Sequence, residues 1–119
     1  MYTIAKEFKD DEFDIVVDWR YEDTPIEDLF DPECSDIEDM KERCEQGIDT
    51  HYIARVRAFI GGIEAGSDSL GSCYAYDCDP EDDIEKGIGG YLDDMINEAI
   101  REAKYFCQEL RVKLNRDFA

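Results

Sequence analysis

Histidine is almost absent from this sequence of 119 residues, and His51 is the only one. The five cysteines are scattered and form no Cys-x-x-Cys pair. These residues are too few and too dispersed for an ordinary zinc site. Their odd number favours free thiols in a reducing compartment over a disulfide framework. We therefore expect no cofactor and a cytoplasmic location.

Long apolar runs and catalytic signatures are missing as well. No segment reaches the roughly 18 apolar residues that a membrane span requires, and the start MYTIAKEF lacks the features of a signal peptide. The sequence has no G-x-S-x-G, no H-E-x-x-H and no phosphate-binding glycine loop. A lone histidine near a strand start is more often structural than catalytic. We expect a protein that is neither an enzyme nor a membrane protein.

Cations are scarce: 13 Lys and Arg stand against 32 Asp and Glu, which gives a net charge of −19. Apolar residues still make up 43% of the chain, so we expect a folded protein, in a single domain from residue 1 to residue 119. Such a charge opposes folding by self-repulsion. It also disfavours direct binding to nucleic acid.

The acids are segregated along the chain. Residues 1 to 49 carry a net charge of −13 and residues 67 to 98 carry −9, whereas residues 99 to 119 carry +2. Both acidic blocks are rich in loops and helix starts. A localised excess of this kind needs an explanation beyond the ordinary polarity of a protein surface.

Strict alternation in FDIVVDWRYE predicts a half-buried strand over residues 13 to 22. A weaker strand precedes it, with Tyr2, Ile4 and Phe8 in phase, and KDDE supplies the turn. HYIARVRAFI predicts a third strand, whose Arg55 and Arg57 are expected to pair with Asp14 or Asp18. EAGSDSLGSCYAY predicts a turn and a returning strand.

Helix signals fill the rest of the chain. Thr24 and Ser35 are expected to cap short helices in the connection from residue 24 to residue 46, with Gly47 ending the second. Asp79-Pro80 starts another short helix, glycines at 87, 89 and 90 break it, and apolar periodicity predicts a long helix from Tyr91 to about Asn115. The predicted fold is α+β, with an antiparallel sheet of three or four strands packed against the C-terminal helix.

The segment DCDPEDDIE, residues 77 to 85, is the densest acidic cluster. As a calcium loop it would place Asp82 where glycine is needed and Ile88 where a bidentate glutamate is needed, so a specific EF-hand-type site is disfavoured and weak divalent binding stays open. A helix N-terminus explains several of its carboxylates but not the whole excess.

A second acidic stripe lies on the predicted helix SDIEDMKERCEQ, where like charges one turn apart repel each other. Carboxylates on both segments resemble the phosphates of a nucleic acid in charge and spacing, and would be steered to a basic protein. Neighbouring tyrosines supply aromatic anchors typical of interfaces. The candidate partner-binding residues are Glu38, Glu42, Glu45, Asp77, Asp79, Glu81, Asp82, Asp83, Tyr74 and Tyr76.

The stretches GSDSLGSCYAYD and GYLDDMINEAIREA, taken with the small size and acidity, resemble the small proteins that bacteriophages encode against host defences. These include anti-CRISPR proteins and anti-restriction proteins that mimic DNA. The resemblance implies a host CRISPR effector or nuclease subunit as the partner, and it assigns no individual residue. The alternative hypotheses are an acidic protein–protein interaction module, whose charge serves solubility, and a calcium-responsive binder.

Overall fold

A four-stranded antiparallel sheet with strands in sequential order forms the centre of the fold, which confirms the predicted α+β class. The computed structural model describes residues 1 to 118. The strands are β1 (Thr3–Asp10), β2 (Phe13–Tyr21), β3 (Thr50–Ile60) and β4 (Ile63–Ala75). The helices are α1 (Ile26–Leu29), α2 (Ile37–Glu45), α3 (Pro80–Glu85) and α4 (Leu92–Phe118), with a 3-10 turn at Ile88–Gly90.

One face of the sheet carries the main core, as the alternation in β2 and β3 predicts. Phe13, Ile15 and Val17 of β2 are fully buried, and they are joined there by Tyr52 and Val56 of β3. Helix α4 covers this face with Met95, Ala99 and Ala103. Each large apolar side chain that is buried in this way contributes roughly 1.5–3 kcal/mol to folding.

The approach of α4 to β4 is unusually close at Gly66. A methyl group added to Gly66 would collide with backbone atoms of Ala99 and Ala103. The two alanines present the smallest possible helix surface at this point, and both are fully buried. Small residues on both sides therefore set how near the helix lies to the sheet.

Strand β1 contains a bulge that the sequence analysis missed. Ile4 pairs with Asp18 and Phe8 pairs with Ile15, with a register shift between Ile4 and Lys6. An inserted residue reverses the alternation of side chains. Tyr2 and Ile4 therefore lie on the opposite face from Phe8, and the prediction that all three are in phase is wrong.

Both hairpin turns lie at one end of the sheet, which we call the hairpin end. The second turn is Gly61-Gly62, not the predicted Gly/Ser/Asp stretch, which belongs to β4. Its two glycines have φ values of 57° and 80°, as a two-residue hairpin turn requires. We call the other end, which bears Tyr21, Thr50 and Ala75, the open end.

The helix starts differ from the predicted ones by one residue in two cases. Pro25 and Asp36, not Thr24 and Ser35, occupy the N-cap positions of α1 and α2, and the Asp36 side chain accepts a hydrogen bond from the Asp39 N–H at 3.1 Å. Helix α3 begins at Pro80 as predicted, and the glycines separate it from α4. Gly47, with φ 75°, follows α2 as expected.

Only the first part of α4 lies on the sheet. Lys104 reaches Asp11 in the first hairpin turn, at 2.9 Å, so the helix leaves the sheet at the hairpin end. From residue 108 to residue 117 every side chain is exposed. A helix of 27 residues is about 40 Å long, and its projecting part extends the molecule to 62 Å in a single direction.

Candidate acidic interface at the open end of the sheet

Parts of the two acidic blocks meet at the open end, namely the segment between β2 and β3 and the turn after β4, whereas the acids of the first hairpin turn lie at the hairpin end. The backbone N–H of Asp77, in the turn after β4, donates to Asp49 Oδ1 at 2.7 Å. The Arg43 guanidinium lies 4.5 Å from the centre of the Tyr76 ring. The turn between β4 and α3 therefore packs against the end of α2 and the loop that follows it, although the whole of β3 and β4 separates the two segments in sequence.

Asp49 holds together the contact between the end of α2 and the turn after β4, which we call the junction. Its side chain is completely buried and accepts hydrogen bonds from Arg43, at 2.8 Å and 3.1 Å, and from the Tyr74 hydroxyl at 2.5 Å. Burial opposes ionisation of Asp49, but these donors and the Asp77 N–H outweigh it and lower the carboxyl pKa. Burial, together with the hydrogen bond to Asp49, raises the Tyr74 pKa, so the phenol remains a donor.

An open cleft of about 590 Å³ lies between the segment that leads from β2 into α1, the end of α2 with the loop to β3, and Asp79 before α3. Lys41 at its border is 3.6 Å from Glu27, which it partly neutralises. The cleft joins the two acidic blocks, because Glu45 comes from the first and Asp79 from the second. The acids that line it are Glu22, Asp23, Glu27, Glu45, Asp49 and Asp79.

The acidic stripe of α2 points away from the sheet. Glu38, Glu42 and Glu45 are all exposed, whereas the apolar side of the same helix faces inwards. Glu42 accepts a hydrogen bond from the Gln46 side chain at 3.1 Å. Helical residues three or four positions apart are about 5–6 Å from each other, so the three carboxylates form one continuous anionic strip.

The acids of the second block divide into free and engaged groups. Asp77, Asp79 and Asp82 are exposed. Glu81 accepts a hydrogen bond from the Trp19 indole at 3.1 Å. The half-buried Asp83 accepts one from the Tyr52 hydroxyl at 2.5 Å. Burial and this bond raise the pKa of Tyr52, which keeps its phenol protonated. Glu81 and Asp83 thus anchor α3 to the core.

The ion pairs formed by the described cations all involve acids outside the candidate set. None of the eight candidate carboxylates has a Lys or Arg nitrogen within 4 Å among residues 1 to 118. Arg55 and Arg57 both contact the buried Asp18, at 2.7 Å and 2.8 Å, on the face opposite α4. This confirms one predicted partner, whereas Asp14 pairs with Lys9.

The tyrosines near the acids differ in accessibility. Tyr76 and Tyr91 are exposed, at 69% and 59%. Tyr74 was expected to be exposed as well, but it is half-buried, and its hydroxyl is engaged with Asp49 and with the Met40 carbonyl. Tyr76 is therefore the one candidate aromatic whose ring is available to a partner.

The described residues contain no group of three His, Cys, Asp or Glu side chains that could hold a metal ion. His51 is buried against the Phe30 ring, 5.5 Å between centroids, and burial lowers its pKa, so it is neutral at pH 7. Burial raises the pKa of Cys73 to about 11, which keeps this thiol protonated. Cys73 is therefore not present as a nucleophilic thiolate at pH 7.

Four acids that line the cleft were not among the candidate residues predicted from the sequence: Glu22, Asp23, Glu27 and Asp49. The first three follow the end of β2, and the last precedes β3. Local sequence carries no signal that these acids converge, because their convergence depends on how the segment between β2 and β3 folds.

None of the helices within residues 1 to 118 is long and apolar enough to cross a membrane. Comparison with family models, curated proteins and solved structures found no match for this chain.

Proposed function

We propose that this protein is a non-enzymatic inhibitor that acts in the bacterial cytoplasm against a host defence protein. Its partner is a basic, nucleic-acid-binding subunit of a CRISPR effector or a restriction nuclease. The acidic open end occupies the DNA or RNA site of that subunit and presents carboxylates in place of phosphates. The protein itself makes no contact with nucleic acid.

The observation that carries this proposal is the absence of ion-pair partners around the candidate acids. The described cations that form ion pairs do so with acids outside the candidate set, such as Asp18 and Asp14 on the sheet and Asp49 within the junction. The unneutralised carboxylates of both acidic blocks then meet at one end of the molecule, around the cleft. A charge that served solubility alone would need no such convergence.

The spacing of these groups suits a basic groove. Duplex DNA carries one charge per about 1.7 Å of helix axis. Helical carboxylates about 5–6 Å apart are less dense, but they are close enough to engage neighbouring lysine and arginine side chains of one groove. Association of this kind is accelerated by long-range attraction and weakened by salt. Asp77, Asp79 and Asp82 are exposed as well, and Asp79 lines the same cleft as Glu45 of α2.

Rigidity also supports the proposal. The junction is fixed by the buried Asp49 and by the bonds from Trp19 to Glu81 and from Tyr52 to Asp83. A partner would meet carboxylates that are already in place, so little conformational entropy is lost on binding.

The test begins with capture of partners from a host lysate, followed by competition with labelled DNA or RNA for the purified partner. A variant with Glu38, Glu42 and Glu45 changed to lysine should lose competition by about tenfold or more, and raised salt should weaken the wild type. The matched control changes three exposed acids of the other end, Glu7, Asp10 and Glu12, to lysine. This control has the same net charge and should compete nearly as well as the wild type.

Equal losses in both variants would show that only total charge matters and would contradict the proposal. Capture of a partner with no nucleic-acid site, in a complex that is indifferent to salt, would favour the alternative of an interaction module whose acidity serves solubility.

A further inference from the structure

The projecting part of α4 carries an apolar stripe that nothing in the described chain covers. Phe106, Leu110 and Leu114 recur every four residues and are 37%, 42% and 49% exposed. The same side of the helix, further towards its start, bears Ala99 and Ala103, which are fully buried on the sheet. The stripe that builds the core therefore continues past the end of the sheet into solvent.

A continuous stripe of this kind is more than scattered surface hydrophobicity. Single exposed apolar residues are normal on proteins, whereas a row at helical spacing is typical of an interface between helices. The stripe begins where the sheet ends, since Lys104 already contacts the turn residue Asp11. Within residues 1 to 118 no other element lies over it.

We propose that the stripe pairs with the same stripe of a second copy, and that the two projecting helices run antiparallel. A two-fold axis beside Leu110 places Leu110 against its counterpart and Phe106 of each copy against Leu114 of the other. Such an interface is self-complementary and closes at two copies. This inference does not depend on the proposed inhibitor function.

Charge favours a second copy in this orientation. The chain carries −19 in total, yet the projecting segment contains Arg111, Lys113 and Arg116 against Glu109 and Asp117. It is therefore the region through which two copies approach with least repulsion. Antiparallel helices leave the acidic bodies at opposite ends of the dimer, whereas parallel helices would bring them side by side.

The register of the flanking charges supports the same arrangement. Glu109 and Lys113 lie one turn apart on the same flank of the stripe. In an antiparallel pair with its axis beside Leu110, Glu109 of each copy lies about 3 Å along the helix from the level of Lys113 of the other. The long lysine side chain can span this offset, which allows two equivalent ion pairs. Charged residues beside an apolar seam select the orientation of paired helices in this way.

The first measurement is sedimentation of the full-length chain from about 1 µM to about 1 mM, a range set by the roughly micromolar affinity that a short interface predicts. The wild type should pass from monomer to dimer. Leu110→Asp should raise the dissociation constant by roughly tenfold or more. The matched control, Val112→Asp, changes an exposed apolar residue on the other side of the helix and should leave the dimer intact.

The second measurement tests the orientation. Glu109→Lys alone should weaken the dimer, and addition of Lys113→Glu to it should restore the dimer, because the exchanged charges again face each other. All four variants change exposed positions, so circular dichroism should confirm an unchanged fold. A wild type that stays monomeric, equal effects of the two aspartates, or no rescue by the charge exchange would overturn the proposal. Species larger than a dimer would do the same, since they would indicate head-to-tail contacts.

Discussion

Arg43 and Asp49 form a two-pronged ion pair that ties the end of α2 to the start of β3. The two guanidinium nitrogens lie 2.8 Å and 3.1 Å from the two carboxylate oxygens, and the Asp49 side chain is fully buried. The same carboxylate also holds Tyr74 and the backbone of Asp77. One side chain thus positions both acidic blocks.

Replacement of this carboxylate should destabilise the protein and loosen the open end. We expect Asp49→Asn to lower the free energy of unfolding by about 2–3 kcal/mol, because the amide cannot satisfy all the donors that now converge on Asp49. Urea unfolding at pH 7 measures the change. Asp14→Asn, which removes an exposed ion pair with Lys9, should have little effect. Equal effects of the two substitutions would contradict the assigned role.

The stabilisation by Asp49 should depend on pH in a defined direction. Its pKa in the folded state lies below the ordinary value of 3.8. Its contribution is therefore complete above that value and is lost as the pH falls through the lowered folded pKa. The difference in stability between the wild type and Asp49→Asn should stay constant from pH 7 to about pH 5 and shrink below pH 4. A difference that grew on acidification would show that the carboxyl pKa is raised.

Close contact between β4 and α4 should make Gly66 intolerant of any side chain. Gly66→Ala should destabilise the protein by roughly 1–3 kcal/mol, because the added methyl meets backbone atoms that cannot move aside. Gly71→Ala is the control, since its methyl would lie 3.5 Å from a flexible Glu22 oxygen. Thermal unfolding of the two variants compares them directly, and a stable Gly66→Ala protein would mean that α4 sits further from the sheet.

The carboxylate of Asp18 should be indispensable to the opposite face of the sheet. Asp18 is 1% exposed and is the shared partner of Arg55 and Arg57. We expect Asp18→Asn to cost roughly 3–5 kcal/mol, because two partly buried guanidinium groups lose their counter-charge. Denaturant titration measures this loss, with Asp82→Asn at an exposed position, unpaired within residues 1 to 118, as the reference. An effect no larger than that of the reference would mean that water satisfies the two arginines.

The hydroxyl of Tyr52 should contribute to the attachment of α3. Tyr52→Phe removes the 2.5 Å bond to Asp83 and should destabilise the fold by about 1–1.5 kcal/mol. Tyr76→Phe, at an exposed position, should leave stability unchanged. Hydrogen exchange would localise the loss of stability: protection of the backbone amides should fall most in α3 (Pro80–Glu85) and less in the strands.

Local patterns predicted the elements of this fold well, because alternation and helical periodicity are properties of short segments. The buried residues of β2 and β3 are those that the alternation identifies, from Phe13 to Val17 and from Tyr52 to Val56. The bulge before Lys6 reversed the orientation of Ile4 without any local signal. The predicted N-caps Thr24 and Ser35 each lie one residue too early, because the neighbouring Pro25 and Asp36 occupy the N-cap positions.

The candidate site depended on long-range geometry and was predicted only in part. The exposure of the α2 acids follows from helical periodicity. The engagement of Tyr74 by Asp49, and of Asp83 by Tyr52, requires segments that are 25 and 31 residues apart to meet. No spacing in the sequence indicates that these segments come into contact. Nor does it indicate that the acids before α1 line the cleft.

The bond between the Trp19 indole and Glu81 joins the sole tryptophan of the chain to the acidic end. The emission of this indole responds to the charge and hydration of its surroundings. A macromolecule that docks beside Glu81 would alter both, so intrinsic fluorescence offers a label-free signal for complex formation. Because Trp19 itself is only 7% exposed, the signal would arise without the fluorophore becoming part of the contact.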